Sequence, residues 1–158
     1  MLKITVISVG GMKERYFAEA VAEYEKRASA YAEVKNINLK EAPLAATRAG
    51  DIAAALESEG GQILKNLPPR AYKIALCVEG KQRTSEELAA LVGTVKRDCG
   101  ELCFVIGSSH GLCEKVKAAC DMRLSVSRLT FPHRLMRVIL AEALYRALSI
   151  DAGAKYHK

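Results

Sequence analysis

Hydrophobic residues along this chain follow two alternating patterns. Short runs that are continuously apolar, or apolar at every second residue, predict β-strands, and apolar residues three and four apart predict amphipathic helices. The predicted strands are residues 2–9, 34–39, 72–78, 102–106 and 122–125. The predicted helices cover residues 13–27, 51–66, a stretch that opens at Thr84, 113–119 and 132–150. Strands that alternate with helices indicate an α/β fold with a mostly parallel sheet flanked by helices.

Local signals mark several boundaries of these elements. Gly60-Gly61 interrupts the second predicted helix, and Pro68-Pro69 closes it. The third predicted strand ends where Glu79-Gly80-Lys81 reads as a turn. Thr84 followed by Glu87 has the spacing of a capping box, which predicts a helix start.

The last predicted helix is apolar around most of its circumference. Pro132 begins it, and it continues to about residue 150. A helix of this kind is expected to be buried on more than one side, which a subunit interface would explain.

Composition indicates one globular domain over residues 1–158. The chain is 50% hydrophobic and 27% charged, which fits neither a disordered nor a fibrous protein. No apolar run approaches the roughly 20 residues that cross a bilayer, and the N-terminus lacks the pattern of a signal peptide. A cytoplasmic protein that is not embedded in a membrane is expected.

The chain has five cysteines, and no two of them form a Cys-x-x-Cys pair. This spacing favours small buried side chains over disulfides or a zinc ribbon. A metal site from Cys99, Cys103, His110 and Cys113 is disfavoured, because structural zinc sites usually pair their ligands on tight turns. We expect no bound metal.

Positive charge is concentrated near the C-terminus. The chain carries 24 basic and 18 acidic side chains, a net charge of +6, and residues 122–158 hold seven of the basic and two of the acidic ones. Such a segment is typical of a protein that binds a polyanion such as RNA. A solvated basic surface without that role is an equal alternative.

Two glycine-containing loops follow predicted strands. Gly10-Gly11 lacks the third glycine of a dinucleotide-binding loop and is interpreted as a turn. Gly107 and Gly111 flank a loop at the carboxyl end of the fourth strand, where parallel sheets bind ligands. Ordinary turn chemistry also accounts for this second loop.

Several polar side chains near the C-terminus are candidates for chemistry. His133 lies at a helix start and His157 at the chain end, and each is either a functional group or a locally bonded side chain. Arg134 and Arg137 are three apart on one helix and are candidates to bind phosphates. Glu142 and Arg146 have the spacing of an intrahelical ion pair.

Four separated motifs agree in order and spacing with one known family. They are Ile106-Gly107-x-x-x-Gly111-Leu112, Leu124-Ser125-x-Ser127-x-Leu129-Thr130-x-Pro132-His133-x-Leu135-x-Arg137-Val138, Ala141-Glu142-x-Leu144-Tyr145-Arg146-Ala147 and a terminal Tyr156-His157. With them, the chain resembles the RlmH family of ribosomal RNA methyltransferases, in the SPOUT superfamily, over nearly its whole length.

The resemblance implies a homodimer of α/β subunits, each with a C-terminal trefoil knot. It implies methyl transfer from S-adenosyl-L-methionine to N-3 of a pseudouridine in a 23S rRNA stem-loop within assembled 70S ribosomes. The cofactor would bind at Leu76, Gly107, Val126, Ser127, Arg128, Leu129, Thr130 and Phe131. The RNA would be bound by His133, Arg134 and Arg137, and Tyr156 and His157 would be catalytic, with the tail reaching the site of the partner subunit.

This sequence departs from the family pattern in two places. The usual Gly-Gly-Pro-Glu-Gly loop reads Gly107-Ser108-Ser109-His110-Gly111, so loop shape and a local acidic contact differ. Lys158 replaces the usual terminal Arg, which keeps the charge and loses the bidentate fork. The alternatives are a non-catalytic ribosome-binding or assembly protein, a methyltransferase of another RNA such as tRNA, and an unknotted mononucleotide-binding domain, which the lack of a phosphate loop disfavours.

Overall fold

The computed structural model describes residues 1–44 and 48–157, which form alternating strands and helices. The strands and helices follow one another as predicted, and several boundaries move. They are β1 (Leu2–Val9), α1 (Arg15–Ala28), β2 (Ala32–Leu39), α2 (Ala49–Asn66), β3 (Tyr72–Gln82), α3 (Ser85–Asp98), β4 (Glu101–Ile106), α4 (Glu114–Ala119), β5 (Met122–Ser125) and α5 (His133–Asp151).

The strands form one five-stranded sheet in the order β2-β1-β4-β3-β5, and every neighbouring pair is parallel. The predicted α/β fold with a mostly parallel sheet is therefore confirmed. All five strands end at the same edge of the sheet, so the segments that follow them meet there.

Helices cover both faces of the sheet. Apolar side chains of α1, α3 and α5 pack with Ile4, Ile74 and Phe104 on one face. Ile63 of α2 and Val116 of α4 pack with Ile7 and Val105 on the other. Each central strand is buried on both faces, which explains its continuous apolar sequence.

Helix α2 runs through Gly60 and Gly61 without a break, contrary to the predicted interruption. Gly60 faces α4 so closely that a Cβ there would overlap the Sγ of Cys113, whereas Gly61 has open space around its Cα. Glycine at position 60 thus allows α2 and α4 to pack.

Strand β3 is longer than predicted and continues through Glu79-Gly80-Lys81 to Gln82. It pairs with β5 at residues 74–76 and again at residues 81–82, with a register shift between. A Cβ at Gly80 would lie 2.6 Å from the carbonyl carbon of Leu124, so only glycine permits this close approach of two backbones. The turn signals mark this irregular part of the strand.

Helix α5 packs against both α1 and α3. Its buried side chains include Leu140, Leu144 and Leu148. The neighbouring helices of the same chain therefore account for part of its apolar circumference. Within the described residues, no helix combines the length and apolarity needed to span a bilayer.

Candidate functional site

A cavity of about 320 Å³ opens at the carboxyl ends of β3, β4 and β5. Its walls are residues 76–79 of β3, residues 106–112 after β4, and residues 124–131 except Arg128. Lys117 of α4 and both His133 and Met136 of α5 complete it. The cavity lies where ligands of parallel α/β sheets bind.

The glycine loop, residues 107–111, forms one wall of this cavity. It closes on itself through a 2.9 Å hydrogen bond from the Gly111 amide to the Ser108 carbonyl. A Cβ at Gly107 would overlap the carbonyl of Gly111, and Gly111 has a φ of +88°. Both glycines are thus required by the loop conformation, beyond ordinary turn preference.

A buried carboxylate is hydrogen-bonded to the glycine loop. Glu59 of α2 is 6% exposed. Its Oε1 accepts a 2.8 Å hydrogen bond from the Ser108 hydroxyl, and its Oε2 accepts one of 3.0 Å from the Ala42 amide. Glu59 does not stand out in the sequence, because 49 residues separate it from Ser108 and no local pattern links them.

The segment after β5 forms the opposite wall. The Ser125 hydroxyl donates to the Ser127 carbonyl at 2.8 Å, and the Leu129 amide donates to the Ser127 hydroxyl at 3.0 Å, which turns the chain around the opening. Leu129 is 71% exposed although it lines the cavity.

Seven of the eight residues expected to bind the cofactor line this cavity. The exception is Arg128, which is exposed and does not belong to the lining. The residues brought together are Leu76, Gly107, Val126, Ser127, Leu129, Thr130 and Phe131.

An ion pair lies in the wall beside β3. Lys117 of α4 donates a short hydrogen bond to Glu79, which lowers the pKa of the Glu79 carboxyl. Burial raises the pKa of the neighbouring Cys77 thiol, and Glu79 adds to that effect. Sequence analysis assigned no function to this pair, although Glu79 lies at the carboxyl end of a predicted strand.

His133 and Arg134 lie where α5 begins, beside the β1–α1 connection. The Nε2 of His133 is buried and has no hydrogen-bond partner among the described residues. Arg134 donates from Nε to the Gly11 carbonyl at 3.1 Å and from Nη1 to Glu14 at 2.9 Å. Arg134 therefore fixes the β1–α1 connection next to the cavity.

Arg137 lies apart from this cavity. It is 8% exposed and lines a narrow space between α1, α5 and the sheet, together with Glu25. Burial lowers the pKa of its guanidinium, and the negative charge of Glu25 partly opposes that shift. Arg137 therefore does not lie with His133 at the cavity of this chain, and its expected phosphate-binding role stays a prediction.

Tyr156 and His157 pack on the far half of α5. The Tyr156 hydroxyl donates to Glu142 at 3.4 Å, and the Tyr156 ring stacks on Arg146. Arg146 contacts Nδ1 of His157 at 3.1 Å, and Nε2 of His157 contacts Glu86 at 2.7 Å.

Distance along α5 separates this tail from the cavity of its own chain. From His133 to Arg146 the helix rises about 20 Å. The structure does not bring the tail and the cavity together within one protomer. Lys158 lies outside the described residues.

The cysteine and histidine cluster considered from the sequence does not assemble. Cys103 is fully buried in β4, whereas Cys99 and His110 are exposed. In residues 1–44 and 48–157, no three His, Cys, Asp or Glu side chains are grouped so as to hold a metal ion.

Comparisons with known proteins show the family of this chain. The family described as "Predicted SPOUT methyltransferase" matches residues 2–157. The Ribosomal RNA large subunit methyltransferase H of Bacillus pumilus (strain SAFR-032) is 42% identical over 160 residues, covering 99% of this chain and 100% of its own. The protein of that name from Bifidobacterium animalis subsp. lactis is 43% identical over 159 residues, with the same coverage.

Two solved structures share the fold at low sequence identity. A probable methyltransferase from Bordetella pertussis Tohama I superposes with a TM-score of 0.58 at 16% identity, covering 92% of this chain and 93% of its own. A probable methylase family protein from Haemophilus influenzae superposes with a TM-score of 0.56 at 14% identity, covering 99% and 70%. The resemblance found in the sequence is confirmed by the family match and the relatives. This chain belongs to the SPOUT methyltransferases, within the RlmH family of ribosomal RNA large subunit methyltransferases.

Proposed function

We propose that this protein transfers a methyl group from S-adenosyl-L-methionine to N-3 of a pseudouridine in a 23S rRNA stem-loop, and that it acts on assembled 70S ribosomes in the cytoplasm. The observation that carries the proposal is the cavity at the carboxyl edge of the sheet, lined by seven of the residues expected to bind the cofactor. Family membership supports the same reaction class.

The cavity suits S-adenosyl-L-methionine. Its volume of about 320 Å³ is at the small end of the range of about 300–1,000 Å³ found for ligand sites. Leu76, Ile106 and Leu124 offer apolar contacts for an adenine ring. His133 adds a buried ring nitrogen that lacks a partner among the described residues. Lys117 offers a positive charge and Glu79 a negative charge to the amino-acid end of the ligand.

The chain's own residues would chiefly bind and orient. Bound S-adenosyl-L-methionine supplies an activated methyl group on a sulfonium. Backbone groups of residues 126–131 would hold the adenine, and the absence of a side chain at Gly107 would leave room beside them. Because transfer is an in-line displacement, correct placement of the two reactants provides most of the acceleration.

The N-3 proton must leave the base, and we assign its removal or the orientation of the base to Tyr156 or His157. Both ring nitrogens of His157 and the hydroxyl of Tyr156 are engaged within their own protomer. The distance of about 20 Å along α5 favours action on the site of a second copy, in a homodimer. We also propose that the chain after β4 is threaded as a trefoil knot, as in the family.

RNA binding is assigned to His133 and Arg134 beside the cavity. The net charge of +6 favours association with a polyanion and makes the affinity depend on salt. Arg137, buried between α1 and α5, would serve RNA only indirectly by holding those helices together. No step in this proposal uses a metal.

The proposal is tested by transfer of labelled methyl from S-adenosyl-L-methionine to 70S ribosomes that lack the modification, with isolated 23S rRNA and tRNA in parallel. Label on 23S rRNA only within ribosomes is the expected result. Label on tRNA would identify a different substrate, and cofactor binding without label on any RNA would contradict the reaction.

The catalytic assignment needs its own variants. Tyr156→Phe and His157→Ala are each expected to lower the single-turnover rate, with cofactor affinity unchanged. Full methylation by both variants would refute the assignment of the tail.

A further inference from the structure

We propose that Glu59 is a positioning residue for the cofactor cavity, acting through Ser108 to hold the glycine loop in its closed conformation. The proposal rests on the function assigned above only where it concerns the cofactor. Its structural part concerns the loop alone.

Glu59 joins three segments that are distant in sequence. It belongs to α2, its Oε1 receives the Ser108 hydroxyl, and its Oε2 receives the amide of Ala42, three residues beyond β2. Each oxygen of the Glu59 carboxyl group accepts one hydrogen bond, so the side chain is held through both of its oxygens. At 6% exposure these bonds are shielded from water.

The contact with Ser108 holds the loop that forms one wall of the cavity. Gly107 and Gly111 remove side chains that would otherwise restrict the backbone, so the closed conformation costs entropy. The Ser108 side chain is buried, and its backbone carbonyl accepts the bond from Gly111 that closes the loop. Fixing the Ser108 side chain therefore fixes the cavity wall.

The same carboxylate also holds the segment after β2 through the Ala42 amide. Ala42 follows Glu41, whose carboxyl carbon and the Nε2 of His133 both lie within 4 Å of the position a Cβ would take at Gly10. Glu59 thus binds both the glycine loop and residue Ala42, which adjoins Glu41 near His133. Ser108 stands where the family usually has glycine, and its hydroxyl donates to Glu59. The loop of this chain contains no acidic residue, but Glu59 of α2 supplies an acidic contact to it.

Three substitutions separate the two bonds. Ser108→Ala removes the loop contact and leaves the Ala42 bond, whereas Glu59→Ala removes both. Glu59→Gln preserves both, because the amide oxygen accepts from Ala42 and the amide nitrogen donates to the Ser108 hydroxyl, which rotates to accept. Glu57→Gln on the same helix is the matched control, since Glu57 pairs with Lys115 on the surface.

The first readout is amide hydrogen exchange of the protein without cofactor. In Ser108→Ala the Gly111 amide is expected to exchange at least about tenfold faster, which corresponds to about 1.4 kcal/mol, with Ala42 unchanged. In Glu59→Ala both amides accelerate. The Ile7 amide in β1 stays protected in every variant, which distinguishes loop opening from global unfolding.

The second readout is the dissociation constant for S-adenosyl-L-methionine. A rise of about tenfold is expected in Ser108→Ala and at least as large a rise in Glu59→Ala. The double variant should not exceed Glu59→Ala, because Glu59→Ala already lacks the Ser108 contact. Glu59→Gln and Glu57→Gln retain affinity within about twofold. The KM for ribosomes is unchanged in all.

The outcomes separate this proposal from the proposed function. Unchanged Gly111 exchange in Ser108→Ala overturns the positioning role, whatever the cofactor does. Accelerated exchange with unchanged cofactor affinity also overturns it, since the loop would then not set the cavity. If the unmodified protein binds no S-adenosyl-L-methionine, the proposed function fails, and the exchange data still decide whether Glu59 holds the loop.

Discussion

The glycines of this protein differ in whether their surroundings leave room for a side chain. Gly107 and Gly60 each face an atom that a Cβ would overlap, the Gly111 carbonyl and the Cys113 Sγ respectively, whereas Gly61 faces open space. The obstruction at Gly107 is backbone, which cannot move aside without opening the loop. The obstruction at Gly60 is the end of a small side chain.

These differences predict the outcome of three alanine substitutions. Gly107→Ala is expected to abolish cofactor binding, as measured by calorimetry, because a Cβ at this position would force the loop open. Gly60→Ala is expected to destabilise by about 1–3 kcal/mol through overpacking. Gly61→Ala should stabilise by about 0.5–1 kcal/mol, since alanine has the higher helix propensity. Denaturant titrations compare the last two, and equal effects at positions 60 and 61 would contradict the α2–α4 packing described here.

Buried thiols predict how stability changes at alkaline pH. Burial raises the pKa of Cys103 to about 12 and that of Cys120 to about 11, from an ordinary value of 9.0. The folded protein therefore holds these protons more tightly than the unfolded chain. Their contribution is fully present below about pH 9 and is lost as pH rises through the folded values. Calorimetry should show Tm falling above pH 9.

Two controls belong to this prediction. Cys103→Ala is expected to lower stability at pH 8 and to show a shallower decline between pH 9 and pH 11, because one linked thiol is gone. Iodoacetamide at pH 8 should alkylate the exposed Cys99 and leave Cys103 unmodified in the folded protein. A steeper alkaline decline in Cys103→Ala would contradict the linkage.

At this scale the sequence indicates a residue's importance only where the reason is local. Gly107 and Gly111 stand out because they flank a loop after an apolar strand. Glu59 does not stand out, because its two partners become neighbours only when α2 packs under the loop. Burial of Arg137 is hidden for the same reason, since it depends on how α1 and α5 meet.

Among the elements, helix α3 begins where its capping residues predict. The Thr84 hydroxyl accepts from the Glu87 amide at 3.1 Å, and the Glu87 carboxylate accepts from the Thr84 amide at 2.9 Å. This reciprocal capping box satisfies two amides that the helix itself leaves free. It is local in sequence, which is why the helix start was predictable.

The capping box predicts a modest and specific loss on substitution. Thr84→Ala is expected to destabilise by about 1 kcal/mol, seen as a fall of about 2–4 °C in Tm. Thr94→Ala on the same helix is the matched control. The Thr94 hydroxyl donates back to the Ala90 carbonyl and accepts an exposed hydrogen bond from Arg97 at 3.3 Å, so its loss should be close to neutral. Equal losses at both positions would show that the cap contributes nothing.

Helix α2 and strand β3 differ from their predicted form because each packs closely against a neighbouring element. Glycine normally weakens both a helix interior and a strand. Here α4 requires Gly60 within a continuous α2, and β5 requires Gly80 within a continuous β3. Both close approaches are tertiary contacts. Local propensity therefore predicts a break within α2 and an early end of β3, and both predictions are wrong.

At the scale of the whole molecule, the cavity and the tail lie at opposite ends of α5. His133 lines the cavity and Arg134 binds the Gly11 carbonyl at one end, and Tyr156 and His157 contact Glu142 and Arg146 at the other. His133 and Arg146 are separated by about 20 Å along α5, which favours action of the tail on the cavity of a second copy. We therefore expect each working site to use two copies of the chain.

This arrangement predicts complementation between two defective variants. Gly107→Ala lacks a working cavity and His157→Ala lacks a working tail, so each alone should methylate ribosomes poorly. Subunits mixed through denaturation and refolding should recover about a quarter of normal activity, because half of random dimers are mixed and each of these has one complete site. The control mixes Gly107→Ala with the Gly107→Ala/His157→Ala double variant, which restores no site. Recovery in the first mixture alone would establish that the tail acts across the dimer, whereas no recovery, with both single variants inactive, would mean that cavity and tail must belong to one chain.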